Sequence, residues 1–289
     1  MIDIENDLCP CQSRELVKDC CLRDGGKLVP SECDTKPAGG RTRYANPKCY
    51  ARALEDCSQT ISLEHPVPQE VLRQIDSTGN LGLTGLSWQS EEVTPNPGVA
   101  RLGNKVLCTR HNSALSPLDV VGIRFFRSLD WSADETRERD GTKRGTIFLF
   151  NGHDVERFAL KVLAGLVAAG VTGWSPRGTQ PPEYWLRILF ENQHFAPEEG
   201  LYRPPARLST GGRLRSIGML PLFEAKRLVG LRFGVNDAEC VLAFDPKSQS
   251  QGHWFSERHP SGFHLCNGGS REKWFGLHWD EPPGCAVVI

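Results

Sequence analysis

Four cysteines near the start of the chain have types and spacing suited to binding a metal. Cys9 and Cys11 are separated by one residue, and the adjacent Cys20 and Cys21 follow after eight more. Four thiolates at this spacing can form a tetrahedral site that zinc accepts, and metal binding would supply folding energy that so short a segment lacks. The pattern predicts a structural zinc site; four unrelated cysteines are the alternative.

A second set of metal ligands is spread over a longer stretch. Cys49 and Cys57 have seven residues between them, and Cys108 and His111 form a C-x2-H pair 50 residues later. Together they predict a tetrahedral zinc site that joins two distant segments. A structural zinc alone would explain this set.

Three further residues give the second set a possible chemistry. Glu64 and His65 follow its first cysteine pair, and Asn112 follows His111 directly. If zinc holds a strand and a helix together, the residue after the last ligand begins the helix and faces the strand. Carboxylate and amide oxygens are suited to Mg²⁺, and an imidazole can take a proton from water. A structural role for His65 and Asn112 is the alternative.

Residues from about 48 to 125 resemble the HNH, or ββα-metal, nucleases. They are most similar to the phage endonuclease VII branch, where an acid–His pair precedes a zinc knuckle and Asn follows the last zinc ligand. The resemblance implies that His65 is the general base. It implies that Glu64 and Asn112 bind a catalytic Mg²⁺ or Mn²⁺.

The same resemblance offers a role for Asn104, as the middle Asn that braces the loop aiming the His. A turn formed by Gly103 and Asn104 explains this residue equally well. The sequence differs from the family in having Glu64 where Asp is usual and His111 where Cys is usual. Its stretch between His65 and Cys108 is also long.

The first cysteine set resembles the SEC-C motif, known from the C-terminal tail of the bacterial secretion ATPase. The familiar form is CPCGSGKKYKKCC, and this chain has CPCQSRELVKDCC. The cysteines and the proline are kept, whereas the Gly-Ser-Gly-Lys-Lys portion is not. The resemblance implies an attached docking or recognition module without chemistry of its own.

These motifs and the changes in composition predict an α+β protein of several parts. Residues 1–24 form a zinc hook, 25–47 a linker or irregular arm, and 48–130 a treble-clef, HNH-like domain. Residues 131–289 form a C-terminal α+β domain of unknown role.

Hydrophobic periodicity and turn signals predict the elements within these parts. Helices are expected at 68–75, from Ser116 through 129, at 154–170 with a stop at Gly170, and at 183–192. A tight hairpin is expected at 101–111, a strand at 146–150, and paired strands within 227–245.

Composition and charge limit the function. The net charge is −1, so any nucleic-acid surface must be local, and no apolar run approaches the length of a membrane span. The acidic start lacks a secretory signal, and clustered cysteines then favour metal binding and a cytoplasmic location. The mixed charges at 137–144 are typical of a solvated loop. The spacing of His253, His259, His264 and Cys266 fits no standard metal pattern.

Two functions from different classes follow from these expectations. The first is an endonuclease with two structural Zn²⁺ ions and a catalytic Mg²⁺ or Mn²⁺. Its partner is nucleic acid, with DNA favoured over RNA. The second is a non-catalytic zinc adaptor that binds nucleic acid or protein. A protein partner could bind the zinc hook or the C-terminal domain; no membrane partner is expected.

Overall fold

A computed structural model describes residues 6–23, 26–76, 103–133, 146–170, 175–204, 217–235, 238–244, 257–265 and 273–279. In these ranges the chain is mixed α and β, which confirms the predicted class. The helices are α1 (Gln69–Asp76), α2 (Thr109–Ala133), α3 (Gly152–Ala169) and α4 (Glu183–Phe190), with short 3-10 helices at Val17–Asp19 and Arg52–Leu54.

The strands form several small sheets. Their bounds are β1 (Leu22–Arg23), β2 (Lys27–Leu28), β3 (Ile61–Glu64), β4 (Asn104–Cys108), β5 (Thr146–Asn151), β6 (Gly200–Arg203), β7 (Ile217–Glu224), β8 (Arg227–Val235), β9 (Ala238–Ala243), β10 (Glu257–Arg258), β11 (Gly262–Leu265) and β12 (Lys273–His278). A five-stranded antiparallel sheet has the order β10-β6-β9-β8-β7, and β12 joins β11 to a parallel β5. The predicted pairing within 227–245 is confirmed by β8 and β9.

Strands β3 and β4 form an antiparallel pair that leads directly into α2. The register places Ile61 opposite Cys108 and Glu64 opposite Asn104. This arrangement differs from the expected hairpin within 101–111, since the described part of that stretch pairs with the distant β3. Cross-strand pairing with β3 buries Val106 and Leu107, which a local hairpin would not secure.

Helix α2 begins at Thr109, seven residues before the predicted start at Ser116. Its first turn is capped from outside the helix, because the Arg110 backbone N–H donates to the Ser58 hydroxyl at 3.2 Å. Pro117 lies inside the helix and removes only one intrahelical hydrogen bond. The Ser-Pro signal was therefore misleading, because a distant residue supplies the cap.

Helix α3 is the central element, and 17 of its 18 residues are buried. It begins two residues before the predicted position, with Asn151 as N-cap, and stops at Gly170 in the left-handed conformation as expected. It packs against α2, α4, β4, β5 and β6. This helix therefore joins β4 to strands of the five-stranded sheet.

One apolar core includes residues from Cys49 through Trp279, so segments 48–130 and 131–289 share it. The segment predicted as a linker is irregular, yet Thr35 and Asn46 are buried, and Asn46 donates to the carbonyls of Ser58 and Gln59. The boundaries at 24, 47 and 130 stay predictions. None of the helices in the described ranges combines the length and apolar character needed to cross a bilayer.

Candidate metal centres and the adjoining site

The four ligands of the second set converge in the core. Nδ1 of His111 lies 3.2 Å from the sulfur of Cys108, 3.6 Å from that of Cys49 and 3.8 Å from that of Cys57. All four residues are buried, and their ligand atoms lie within 4.8 Å of one another. A tetrahedral zinc with bonds of about 2.0–2.3 Å requires ligand separations of roughly 3.4–3.8 Å. The predicted set is therefore compatible with one zinc ion.

Local backbone geometry explains how the two segments meet. The 3-10 helix Arg52–Leu54 ends at Glu55 in the left-handed conformation, which turns the chain back toward Cys57. Cys108 ends β4, and its backbone N–H donates to the Cys49 sulfur at 3.4 Å. The backbone N–H of Ser58 donates to the Cys108 sulfur at the same distance. Such N–H···S bonds favour thiolates and orient them toward a metal.

The protonation of these thiols is shared within the cluster. Hydrogen bonds from Cys49 and His111 outweigh burial and lower the pKa of Cys108 to about 2. The same hydrogen bond, together with burial, raises the pKa of Cys49. One buried thiolate is thus stabilised by its neighbours' protons. A divalent cation would replace those protons and allow all three thiols to ionise.

The four cysteines of the first set, in the zinc hook, also converge. The Cys20 sulfur lies 3.4 Å from that of Cys11 and 3.6 Å from that of Cys21, and all four ligand atoms fall within 4.8 Å. The hook docks on the rest of the chain, because the Leu149 N–H of β5 donates to the Pro10 carbonyl at 3.0 Å. This set also is compatible with zinc.

His65 follows β3 and is half-buried, with its ring packed against Gly103. A Cβ atom at Gly103 would lie 3.0 Å from Cε1 and Nε2 of His65, and 2.9 Å from Cγ of Leu63. A larger residue there would have to displace the ring. Gly103 precedes Asn104, which lies opposite Glu64 in the strand register. The Gly-Asn dipeptide therefore lies beside both members of the acid–His pair.

Glu64 is buried and points toward α3, whereas a ligand of a substrate-bound metal is expected to be open to solvent. Its exposed fraction is 3%, and neither carboxylate oxygen has a hydrogen-bond partner in the described residues. Lys161 Nζ lies 3.8 Å from its Oε1. Burial raises the pKa of Glu64 to about 7, although the Lys161 ammonium lowers it. Side chains alternate along a strand, so Glu64 enters the core while its neighbours face outward.

Lys161 and Asp119 were not predicted as members of this site. Lys161 Nζ donates to Asp119 Oδ1 at 2.5 Å and to the His65 carbonyl at 3.4 Å. Its side chain is 1% exposed. One signal could have revealed it: Lys161 is the single lysine of an otherwise apolar run, FALKVLAGLVAAG.

Asn112 lies in the first turn of α2, half-buried and directly after His111. Its backbone carbonyl accepts from the Ser116 hydroxyl at 3.4 Å, as expected inside a helix. Helix α2 contacts both β3 and β4, but Asn112 lies at the Cys108 end of this strand pair, whereas Glu64 lies opposite Asn104 at the other end.

Several sequence predictions lie outside the described residues. They are the insert that contains GLTGLSWQSEEV, the charged segment 137–144, His253 and Cys266. The side chain of His264 also lies outside them, whereas His259 is described.

Comparisons of the chain with protein-family models, with curated proteins and with solved structures found no match. The HNH and SEC-C resemblances therefore rest on the sequence motifs, and the structure adds two clusters that are compatible with zinc.

Proposed function

We propose that the chain is a metal-dependent endonuclease whose active site is a treble-clef, HNH-like unit formed by β3, β4 and α2. One observation carries the proposal. The converging ligands Cys49, Cys57, Cys108 and His111 hold the junction of β4 and α2. His65 leaves the paired strand, and Asn112 follows the last ligand.

In this proposal the zinc is structural and the neighbouring side chains do the chemistry. His65 takes a proton from the attacking water. Glu64 and Asn112 would hold Mg²⁺ or Mn²⁺, which stabilises charge on the phosphate and on the leaving 3′ oxygen. The start of α2 adds the partial positive charge of a helix N-terminus, which attracts phosphate.

The surroundings of Glu64 are compatible with a role as a metal ligand. Its carboxylate has no hydrogen-bond partner in the described part of the chain, and its nearest cation is Lys161 at 3.8 Å. This spacing leaves the oxygens available to a closer cation. Lys161 would then balance the charge of Asp119, with which it is already in direct contact.

Cleavage of supercoiled plasmid and of labelled DNA and RNA oligonucleotides tests the proposal. Zinc-loaded protein should cut in Mg²⁺ or Mn²⁺ and not in EDTA, and the comparison of DNA with RNA identifies the substrate. Asn112→Ala should reduce the rate at least about tenfold, since it removes a metal ligand. Ser113→Ala is the matched control, because Ser113 is the exposed next residue of the same helix.

The alternative function is a non-catalytic zinc adaptor. The burial of Glu64 against Lys161 favours it, because a carboxylate paired in the core is less accessible to a substrate-bound metal. An adaptor would retain both zinc ions and bind nucleic acid or protein without cutting. Binding without cleavage in every metal would therefore replace the nuclease proposal with this one.

A further inference from the structure

A separate cleft lies at the start of α3. Its volume is about 250 Å³, and it is lined by His153, Glu156, His194, Phe195, Pro197, Arg258 and His259. Three imidazoles, a guanidinium and a carboxylate thus surround one space. None of these residues belongs to the zinc clusters or to the proposed nuclease site.

Glu156 anchors the cleft from within the core. Its Oε1 accepts from the Leu201 backbone N–H at 2.5 Å and from Nε2 of His259 at 3.0 Å, while Oε2 lies 3.4 Å from Nδ1 of His153. Burial opposes its ionisation, but the hydrogen bonds from His153 and His259 outweigh it and lower the pKa of Glu156. The carboxylate is therefore charged, and its oxygens are already bonded to the Leu201 N–H, His259 and His153.

The backbone is adapted to this arrangement. Gly200 has φ +121°, and a Cβ atom there would lie 2.2 Å from Glu156 Oε1 and 3.1 Å from His259 Nε2. Only glycine allows the chain to approach so closely that the Leu201 N–H reaches the carboxylate.

The imidazoles are held in fixed positions. His259 stacks on Trp279 with ring centroids 3.9 Å apart, and His153 packs edge-on against His194 at 4.1 Å. The His153 side chain is 7% exposed and directs Nδ1 at Glu156. Its Nε2 has no hydrogen-bond partner among the residues that the structure describes. Glu156 thus orients a ring whose second nitrogen is available to a ligand.

The described side chains of the cleft do not converge as the two cysteine clusters do. Both cysteine clusters bring their ligand atoms within 4.8 Å of one another, and the described residues contain no third group that does so. The donors that line the cleft suit an anion, although Arg258 also donates through Nε to the Glu199 carbonyl at 3.0 Å. Arg258 lines the cleft, and Glu32, 3.9 Å from Nε2 of His194, is itself paired with Arg157 at 3.0 Å.

We propose that this cleft binds the phosphoryl group of a small ligand, with His194 and Arg258 donating to its oxygens and His153 donating through Nε2 as an imidazolium that keeps its Nδ1–H on Glu156. A phosphoryl group accepts charge-assisted hydrogen bonds from several directions, as this arrangement of donors requires. The volume accommodates a phosphoryl group and a few further atoms. The inference does not depend on the nuclease proposal, because the two sites share no residue.

Calorimetric titration of the zinc-loaded full chain with inorganic phosphate at constant ionic strength tests the proposal. Phosphate should bind to the unmodified chain. His194→Asn should weaken binding about tenfold. Its side chain is 45% exposed, so folding should be retained. Arg187→Gln, a half-exposed cation on α4 outside the cleft, should bind as the unmodified chain does.

Three results would overturn the inference. The first is no binding of phosphate, and the second is equal binding by His194→Asn with an unchanged melting temperature. The third is competition by acetate, or by an oligonucleotide without terminal phosphates, as strongly as by phosphate itself. An Arg258→Gln variant that melts normally and binds normally would exclude the guanidinium contact.

Discussion

Glu64 lies in an environment unlike that of an ordinary surface carboxylate. It is buried between β3 and α3, near Lys161, and its pKa is raised to about 7 by that burial. The folded state therefore holds a proton that the unfolded state releases at lower pH. Stability contributed by protonated Glu64 is present below its unfolded pKa and is lost as pH rises toward about 7.

This pH dependence can be measured by comparing the unmodified chain with Glu64→Gln. Both proteins carry their zinc, and the buffer contains no other divalent metal. The difference in unfolding free energy, unmodified chain minus variant, should fall between pH 5 and pH 8 by an amount on the order of 1–3 kcal/mol. Denaturant titrations at both pH values give this difference. The exposed Glu55→Gln is the control and should show no such trend. A difference that stays constant or rises with pH contradicts the burial of Glu64.

Gly103 tests the position of His65 without removing the imidazole. Gly103→Ala places a methyl group 3.0 Å from the ring, so the ring must move. We expect DNA cleavage to fall at least about tenfold, since small misplacements of a catalytic group are costly, while both zinc ions are retained. Cleavage rate and zinc content are compared with Gly40→Ala, whose added Cβ meets nothing within 4 Å. Full activity of Gly103→Ala would contradict the role of His65.

Residue types and spacing were sufficient to predict which side chains converge in the two clusters. Cys9, Cys11, Cys20 and Cys21 could be grouped because they are close in sequence, and Cys108 and His111 because they form a knuckle. The contact of Lys161 with Glu64 could not be predicted, since 96 residues separate Lys161 from the neighbouring His65 and only tertiary packing joins them. The cleft residues His153, His194 and His259 were missed for the same reason.

At the scale of elements, the two cysteine clusters differ in how much of the chain packs around them. Cys49, Cys57, Cys108 and His111 lie within the large core and join the 3-10 helix, β4 and α2. The hook has its own small cluster, which contacts the remainder through Leu149. Loss of zinc from the cluster of Cys49, Cys57, Cys108 and His111 should therefore unfold much more of the chain than loss of zinc from the hook.

Paired serine substitutions test this difference. Cys108→Ser should lose one zinc and abolish cooperative unfolding, because structural zinc contributes about 10–16 kcal/mol of apparent binding free energy. Cys20→Ser should lose the other zinc and leave a cooperative transition. Elemental analysis and circular dichroism melting measure both effects. Equal destabilisation by the two variants would show that the hook is part of the main core's folding.

Periodicity predicted the elements that depend on local sequence. Helix α3 is capped by its own Asn151 and Gly170, and β8 and β9 follow each other directly, so local signals sufficed. The start of α2 and the partner of β4 depend on Ser58 and on β3, more than 40 residues away. Local patterns carry no information about such distant partners.

In the whole molecule, α3 connects the sites. Its first turn carries His153 and Glu156 of the cleft, and its middle carries Lys161 beside Glu64. Asp154 and Arg157 of the same helix bind the arm at Cys33, through the Cys33 N–H and carbonyl. The class of fold was predictable from composition and element order. The helix itself was predicted, but its role in joining the sites was not, because its charged residues look like exceptions within an apolar segment.

Zinc content is a property of the whole chain. Protein purified without chelator should contain two zinc ions per chain, since two complete ligand sets converge. Removal of zinc with a strong chelator should lower the melting temperature, and added Zn²⁺ should restore it. Elemental analysis together with thermal melting measures this. A content of one zinc or none would remove one of the two sites.

The nuclease proposal is tested most directly by the plasmid cleavage rate of His65→Ala in Mg²⁺ or Mn²⁺. The substitution should lower the rate at least about 100-fold, because it removes the general base. Zinc content and melting temperature should be unchanged, since His65 belongs to neither ligand set. Gln59→Ala, an exposed residue just before β3, should cut normally. A folded, zinc-loaded His65→Ala variant that cuts as fast as the unmodified chain would contradict the proposal.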